Sequence, residues 1–249
     1  MGERHNCSQE MQGFEEVLAP KRRARIFFVR HGVPEVYGND KSKLTQEGID
    51  QVESFAETFI DILRMDRKEK LLKILSSDRN RAAETAKIIE QRVKERKRRS
   101  PWGMNVELMP TIAKRGYITP HRTIDPVIQN GTPLSSAYNT WLDLSYPEAK
   151  ELNARWSGEI ASEAFTLARR LGNFVAESDG PDIYYVLATH ETTLGSILLH
   201  SGVGDPSKIG FAEHLEIESF GDRMSIRSRG EQGEFDSQEI TERIQLAMQ

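Results

Sequence analysis

Three short, mainly apolar runs, each ending in a cluster of charged, hydroxylated or imidazole side chains, constrain this chain more than any other feature. Ile26-Phe27-Phe28-Val29 leads into Arg30-His31-Gly32. Leu71 to Leu75 leads into Ser76-Ser77-Asp78-Arg79-Asn80-Arg81. Tyr184 to Leu187 leads into Ala188-Thr189-His190-Glu191. Runs of this length without polar alternation suit strands covered on both faces. Between the first two, Ile49, Val52, Phe55, Ala56, Phe59 and Leu63 recur at helical spacing behind Thr45, a suitable N-cap. Behind the second, Ala82, Ala83, Ala86, Ile88 and Ile89 mark a helix that ends near Arg98, with Ser77 or Asp78 as its cap. Strands alternating with helices predict a three-layer α/β/α sandwich around a mostly parallel central sheet. In such sheets ligands bind beyond the carboxyl ends of the strands, which is where the three clusters fall.

The chain is 249 residues long, the size of one α/β domain with an elaboration. Residues 1–22 read as a mobile leader, and residues 23–249 as a single domain. An inserted cap is expected around residues 103–156, where Pro110, Pro120, Pro126, Pro133 and Pro147 break the pattern into loops and short helices. Beyond it, residues 157–178 predict a helix with Ile160, Ala164, Leu167, Ala168, Leu171 and Phe174 inward. Leu215–Ser219 and Met224–Arg227 predict a hairpin around Gly221-Asp222, and a short helix starts near Ser237.

Charge excludes some classes of partner. With 34 basic and 38 acidic residues the net charge is -4, so no global field draws nucleic acid. The basic run Lys94 to Arg99 reads as a solvated helix end. A single cysteine, Cys7, rules out an intrachain disulfide and a cysteine metal site. No segment approaches ~18 consecutive apolar residues, and the first 24 lack the apolar stretch of a signal peptide. A cytoplasmic protein with no membrane partner is expected; the oligomeric state is open.

Arg30-His31-Gly32 alone reads equally as a strand end with a solvated arginine and a surface histidine. Together, Arg30, His31, Arg81, His190 and Glu191 form a set suited to an anionic group whose charge is spread over several oxygens. Two guanidiniums offer planar paired donors to such oxygens without a metal. Four blocks in this order, Arg30-His31-Gly32, Leu44-Thr45-Gln46-Glu47-Gly48, Ser76 to Ala86 and Ala188 to Leu194, resemble the histidine phosphatase superfamily over about residues 25–200. That group includes phosphoglycerate mutases and acid phosphatases.

The resemblance implies His31 as a nucleophile that becomes phosphorylated, and Arg30, Arg81 and His190 as phosphate ligands. Arg79 rivals Arg81 for the second arginine position and otherwise reads as a helix-start residue at the rim. The mutase-like branch carries its general acid soon after the second arginine helix, where Thr111 to Gly116 holds no acid. The acid phosphatase branch places an acid directly after the second histidine, as His190-Glu191-Thr192 does here. Glu191 is therefore the expected general acid and Glu107 its rival. The chain departs from the acid phosphatase branch at Val33-Pro34-Glu35, which lacks a further arginine; Lys114, Arg115, His121 or Arg122 is the expected substitute. The aromatics Trp102, Tyr117, Tyr138, Trp141, Tyr146 and Trp156 either line a leaving-group pocket or form cap core.

The resulting expectation is a cofactor-free phosphomonoesterase acting on a small molecule. A mutase-like phosphotransferase and a non-catalytic phosphate-binding scaffold are the alternatives.

Overall fold

The computed structural model describes residues 22–36, 39, 41–66, 68–99, 106–113, 125–177 and 180–249. Apart from Arg22, the expected leader lies outside them. So do Trp102, Lys114, Arg115, Tyr117, His121 and Arg122, the expected cap cations and two of the expected cap aromatics.

In chain order the elements are β1 (Ala24–Arg30), α1 (Gln46–Met65), β2 (Lys70–Ser76), α2 (Asn80–Arg99) and β3 (Val106–Ala113). Three short helices follow, α3 (Asp125–Gln129), α4 (Leu134–Leu142) and α5 (Tyr146–Glu151), and then α6 (Ser157–Ala176). The chain continues with β4 (Asp182–Thr189), α7 (Glu191–Ser201), β5 (His214–Phe220), β6 (Arg223–Ser228), β7 (Glu231–Asp236) and α8 (Ser237–Leu246). Among the described residues seven strands form one mixed sheet in the order β3-β2-β4-β1-β5-β6-β7. β1, β2, β3 and β4 run parallel, and β5, β6 and β7 add an antiparallel meander. β7 escaped the sequence reading because Glu231-Gln232-Gly233-Glu234 carries no apolar alternation. It is an edge strand, and a charged edge resists pairing with other chains.

Alternation along the strands builds the two cores. Phe27, Val29, Tyr184, Val186 and Ala188 face α1 and α2, packing on Phe55, Phe59, Ile60, Leu63, Ala82 and Ile89. Ile26, Phe28, Leu187, Leu215 and Ile217 face α6, α7 and α8. Burying one side chain of this size contributes about 1.5–3 kcal/mol, so the double-sided β1 carries much of the fold's stability. Phe27 meets Phe59 edge-on with ring centroids 5.0 Å apart.

Thr45 caps α1 as expected, its side chain accepting from the Gly48 N–H. Of the two expected caps of α2, Ser77 does not serve, because its hydroxyl lies against His190 Nε2; the Arg79 carbonyl accepts from Ala83 N–H at 3.0 Å. The inward stripe of α6 is Ile160, Ala161, Ala164, Phe165, Ala168, Gly172 and Val175. Phe174, expected inside, is 61% exposed. The stripe drifts across the helix face over five turns, and a straight i, i+3, i+4 series misses that drift by its last turn.

Candidate active site

β4 lies between β2 and β1, so three parallel strands end side by side. Arg30 pairs with Thr189 in register, and Ser76 with Ala188. The next residue of each strand end therefore sits on one edge: His31, Ser77 and His190. Two further bonds lock that edge. His31 N–H donates to Thr189 O at 3.1 Å, and Ser77 N–H donates to Ala188 O at 3.0 Å.

Gly32 is required here for contact with protein rather than with a ligand. A Cβ at Gly32 would lie 2.3 Å from the Gly48 carbonyl oxygen, and one at Gly48 would lie 2.3 Å from the Val33 oxygen. The two glycines let the N-terminus of α1 press against the strand end. Val33 N–H donates to Gln51 Oε1 at 3.3 Å across the same contact.

His31 is 4% exposed. Its Nδ1 lies 2.7 Å from Gly32 O, and its Nε2 accepts from Arg81 Nε–H at 2.8 Å. A guanidinium donates only, so Nε2 carries a lone pair and the proton sits on Nδ1. Burial pushes the His31 imidazole down to about 3, and the charges of Arg81, Arg30 and Arg79 push the same way, against the Gly32 carbonyl. The ring is neutral, with its unprotonated nitrogen facing a cationic wall.

His190 is 4% exposed, with its ring centroid 5.2 Å from that of His31. Burial holds it well below the ordinary histidine value, aided by His31, Arg81, Arg79 and Arg30. Its Nε2 lies 2.8 Å from Ser77 Oγ, and its Nδ1 is buried with no hydrogen-bond partner.

Arg81, on the first turn of α2, spans His31 and the loop before α1, donating also to Asn39 O at 2.9 Å. Of the two rival arginines, Arg81 touches His31. Arg79, directly before α2, is half-buried, and its charge bears on both histidines. Sequence reasoning undervalued it; its place two residues before Arg81, at the mouth of the helix, was the available signal.

Arg30 is 6% exposed. It donates to Ile209 O, forms an ion pair with Glu191, and stacks on Phe211 with its central carbon 4.0 Å from the ring centroid. Phe211 also lies 6.1 Å from the His31 ring, centroid to centroid. No motif flags Phe211 in the sequence. It sits in the segment joining α7 to β5, which is tied to the site by Ala212 N–H to His31 O at 3.3 Å and Arg30 N–H to Glu213 O at 2.8 Å.

Glu191 opens α7 directly after His190. The Tyr138 hydroxyl, from α4, donates to Pro206 O at 2.8 Å, with Glu191 O 3.3 Å away. Gly195 makes room for it: a Cβ there would fall 1.9 Å from the hydroxyl oxygen. Trp141 and Trp156 instead spend their indole N–H groups on Arg155 O and Leu144 O and are buried core, with Tyr146 edge-on to Trp156.

Glu107, the rival acid, is placed elsewhere. It pairs with Leu71 near the start of β2, whereas Ala113 pairs with Ser76 at the end bearing the histidines. Six residues of strand separate Glu107 from that edge, roughly 20 Å. Among the described residues no cluster of three or more His, Cys, Asp or Glu side chains could hold a metal, and no helix is long and apolar enough to cross a membrane.

Residues 26–101 match the family model of the histidine phosphatase superfamily, branch 1. The fold is shared with solved structures at low identity. A phosphoglycerate mutase from Bacillus anthracis str. Sterne has a TM-score of 0.54 at 14% identity, over 88% of this chain and 96% of that one. A mycobacterial glucosyl-3-phosphoglycerate phosphatase in complex with VO3 has a TM-score of 0.53 at 16% identity, over 83% of this chain and 98% of that one. A structure described as a mycobacterial hydrolase has a TM-score of 0.51 at 15% identity, over 79% of this chain and 92% of that one. No curated protein matches the sequence. The family match takes in three of the four sequence blocks, Arg30 to Ala86, and the fold is shared over most of the chain.

Proposed function

We propose that this chain, with the family match and fold of the histidine phosphatases, is a phosphomonoesterase that works through a phosphohistidine on His31. One observation carries the reading. His31 is buried and neutral, its Nδ1 sits against Gly32 O, and its Nε2 lone pair faces the Arg81 guanidinium. A neutral imidazole with its free nitrogen against cations is poised to attack an electrophile that carries negative charge.

The substrate is a small-molecule phosphomonoester dianion. Its phosphoryl oxygens take the donors of Arg81, Arg79 and Arg30, with His190 as a neutral donor. Arg81 then gives up His31 Nε2, which attacks phosphorus in line as the bond to the leaving oxygen breaks. On binding, the dianion displaces the Glu191 carboxylate from Arg30, and the displaced carboxylate takes up a proton from solvent beside the phosphoryl group. That proton on Glu191 goes to the departing oxygen, which leaves as an alcohol. The carboxylate then takes a proton from water as the water attacks phosphorus, and His31 is freed. In this reading residues 103–156 cap the site, Tyr138 ties the cap to Glu191, and Phe211 is the aromatic wall beside the leaving group.

Phosphate release across a panel of phosphomonoesters, with His31→Ala as the blank, tests this. Release above the blank is the expected result. Transfer to an added alcohol or sugar with no free phosphate would make the protein a phosphotransferase, and neither activity would leave a phosphate-binding scaffold.

A further inference from the structure

We propose that Ser77 is a positioning residue that sets the tautomer of His190, and so makes its Nδ1 a hydrogen-bond donor to the phosphoryl group. This rests on the phosphomonoesterase reading above.

Ser77 is fully buried, held at the end of β2 by its own N–H on Ala188 O. Its Oγ lies 2.8 Å from His190 Nε2. Burial and the surrounding guanidiniums keep His190 neutral, so the ring carries one proton on one of two nitrogens. Which nitrogen holds it decides what the ring does. With the proton on Nε2, the Ser77 oxygen accepts, the buried Ser77 O–H is left without an acceptor, and a bare Nδ1 lone pair faces an anion. With the proton on Nδ1, Ser77 O–H donates to Nε2 and both groups are satisfied. Nδ1, which has no partner in the protein, then offers N–H to a phosphoryl oxygen. An unmade hydrogen bond from a buried hydroxyl is costly, and a lone pair against a phosphoryl oxygen is repulsive, so both effects select the second arrangement.

The two histidines therefore share a tautomer for opposite purposes. On His31 the Nδ1–H is absorbed by Gly32 O, leaving Nε2 as nucleophile. On His190 the Nε2 is absorbed by Ser77, leaving Nδ1–H as donor.

The test is nitrogen-15 NMR of the histidine side chains in the full chain, in wild type and in Ser77→Ala. The wild type should show His190 as the neutral Nδ1–H form near neutral pH. Ser77→Ala should shift the ring toward Nε2–H and weaken vanadate binding about tenfold or more, with the His31 signals unchanged. A wild-type His190 protonated on Nε2 overturns the proposal, as does a Ser77→Ala ring that keeps the Nδ1–H form. If the tautomer behaves as proposed but vanadate and phosphate do not bind, Ser77 keeps its role and the phosphomonoesterase reading fails.

Discussion

Arg81 donates its Nε–H to His31 Nε2 across 2.8 Å, so the proposed nucleophile is covered by one of its own phosphate ligands. The cover is a weak cap on a lone pair, and a phosphate dianion offers the guanidinium a stronger partner. Arg81→Gln should therefore lower kcat/KM by ~100-fold or more, while Arg79→Gln, whose charge bears on both histidines, should cost about tenfold. Steady-state kinetics on one substrate with both variants checks the ranking. The reverse ranking would make Arg79 the principal ligand.

The ion pair of Arg30 with Glu191 leads to a leaving-group test. Glu191→Gln keeps the shape but cannot give or take the proton. Alkyl phosphates should slow by ~100-fold or more, whereas aryl phosphates with acidic leaving groups should form phosphohistidine nearly as fast as before. Because the second step needs the same carboxylate, phosphohistidine should accumulate in the variant. Equal, slight slowing of both substrate types would remove Glu191 from the acid role.

Four histidines whose values are lowered by burial, His31, His190, His200 and His214, make stability pH-dependent. Burial lowers His31 to about 3 and His200 to about 4, and it holds His190 well below the ordinary value. The unfolded chain takes up protons on these rings as pH falls through about 6.5, and the native state does not. Stability contributed by the neutral buried forms is thus present above that pH and lost on acidification, up to ~1.4 kcal/mol per pH unit for each ring until its folded value is reached. Thermal melts should show Tm falling from pH 7 to pH 5, and falling less steeply in His200→Gln. A flat Tm over that range would contradict the burial of these rings as neutral groups.

Gly32→Ala tests the contact that holds the strand end. The added methyl would meet the Gly48 backbone, which cannot rotate away as a side chain could. The variant should lose ~2 kcal/mol or more of stability and most activity, because the shift moves His31 itself. Denaturant unfolding of the variant would show it, and a wild-type midpoint would mean that the loop yields freely.

Much of this arrangement is legible in the chain because it depends on local order. The apolar runs fix β1, β2 and β4, the residues after each run fall on one edge, and Thr45 announces α1. Arg30, His31, Arg81, His190 and Glu191 are brought together as the sequence blocks imply. What the sequence hides is pairing at a distance. Glu107 stands as the rival acid to Glu191 until the register of β3 against β2 puts it at the far end of the sheet. Phe211 reaches Arg30 and His31 only because an irregular segment folds back on β1. Ser77 reads as a helix cap until β4 delivers a histidine to its hydroxyl.

The central claim is the covalent step on His31, and the most direct measurement is trapping. Wild-type protein mixed with a phosphorus-32-labelled phosphomonoester and quenched in base should carry an acid-labile label that peptide mapping places on His31. His31→Ala, folded as judged by circular dichroism, should carry none and retain less than ~1% of kcat. Label on another residue, or turnover in His31→Ala near the wild-type rate, would contradict the account.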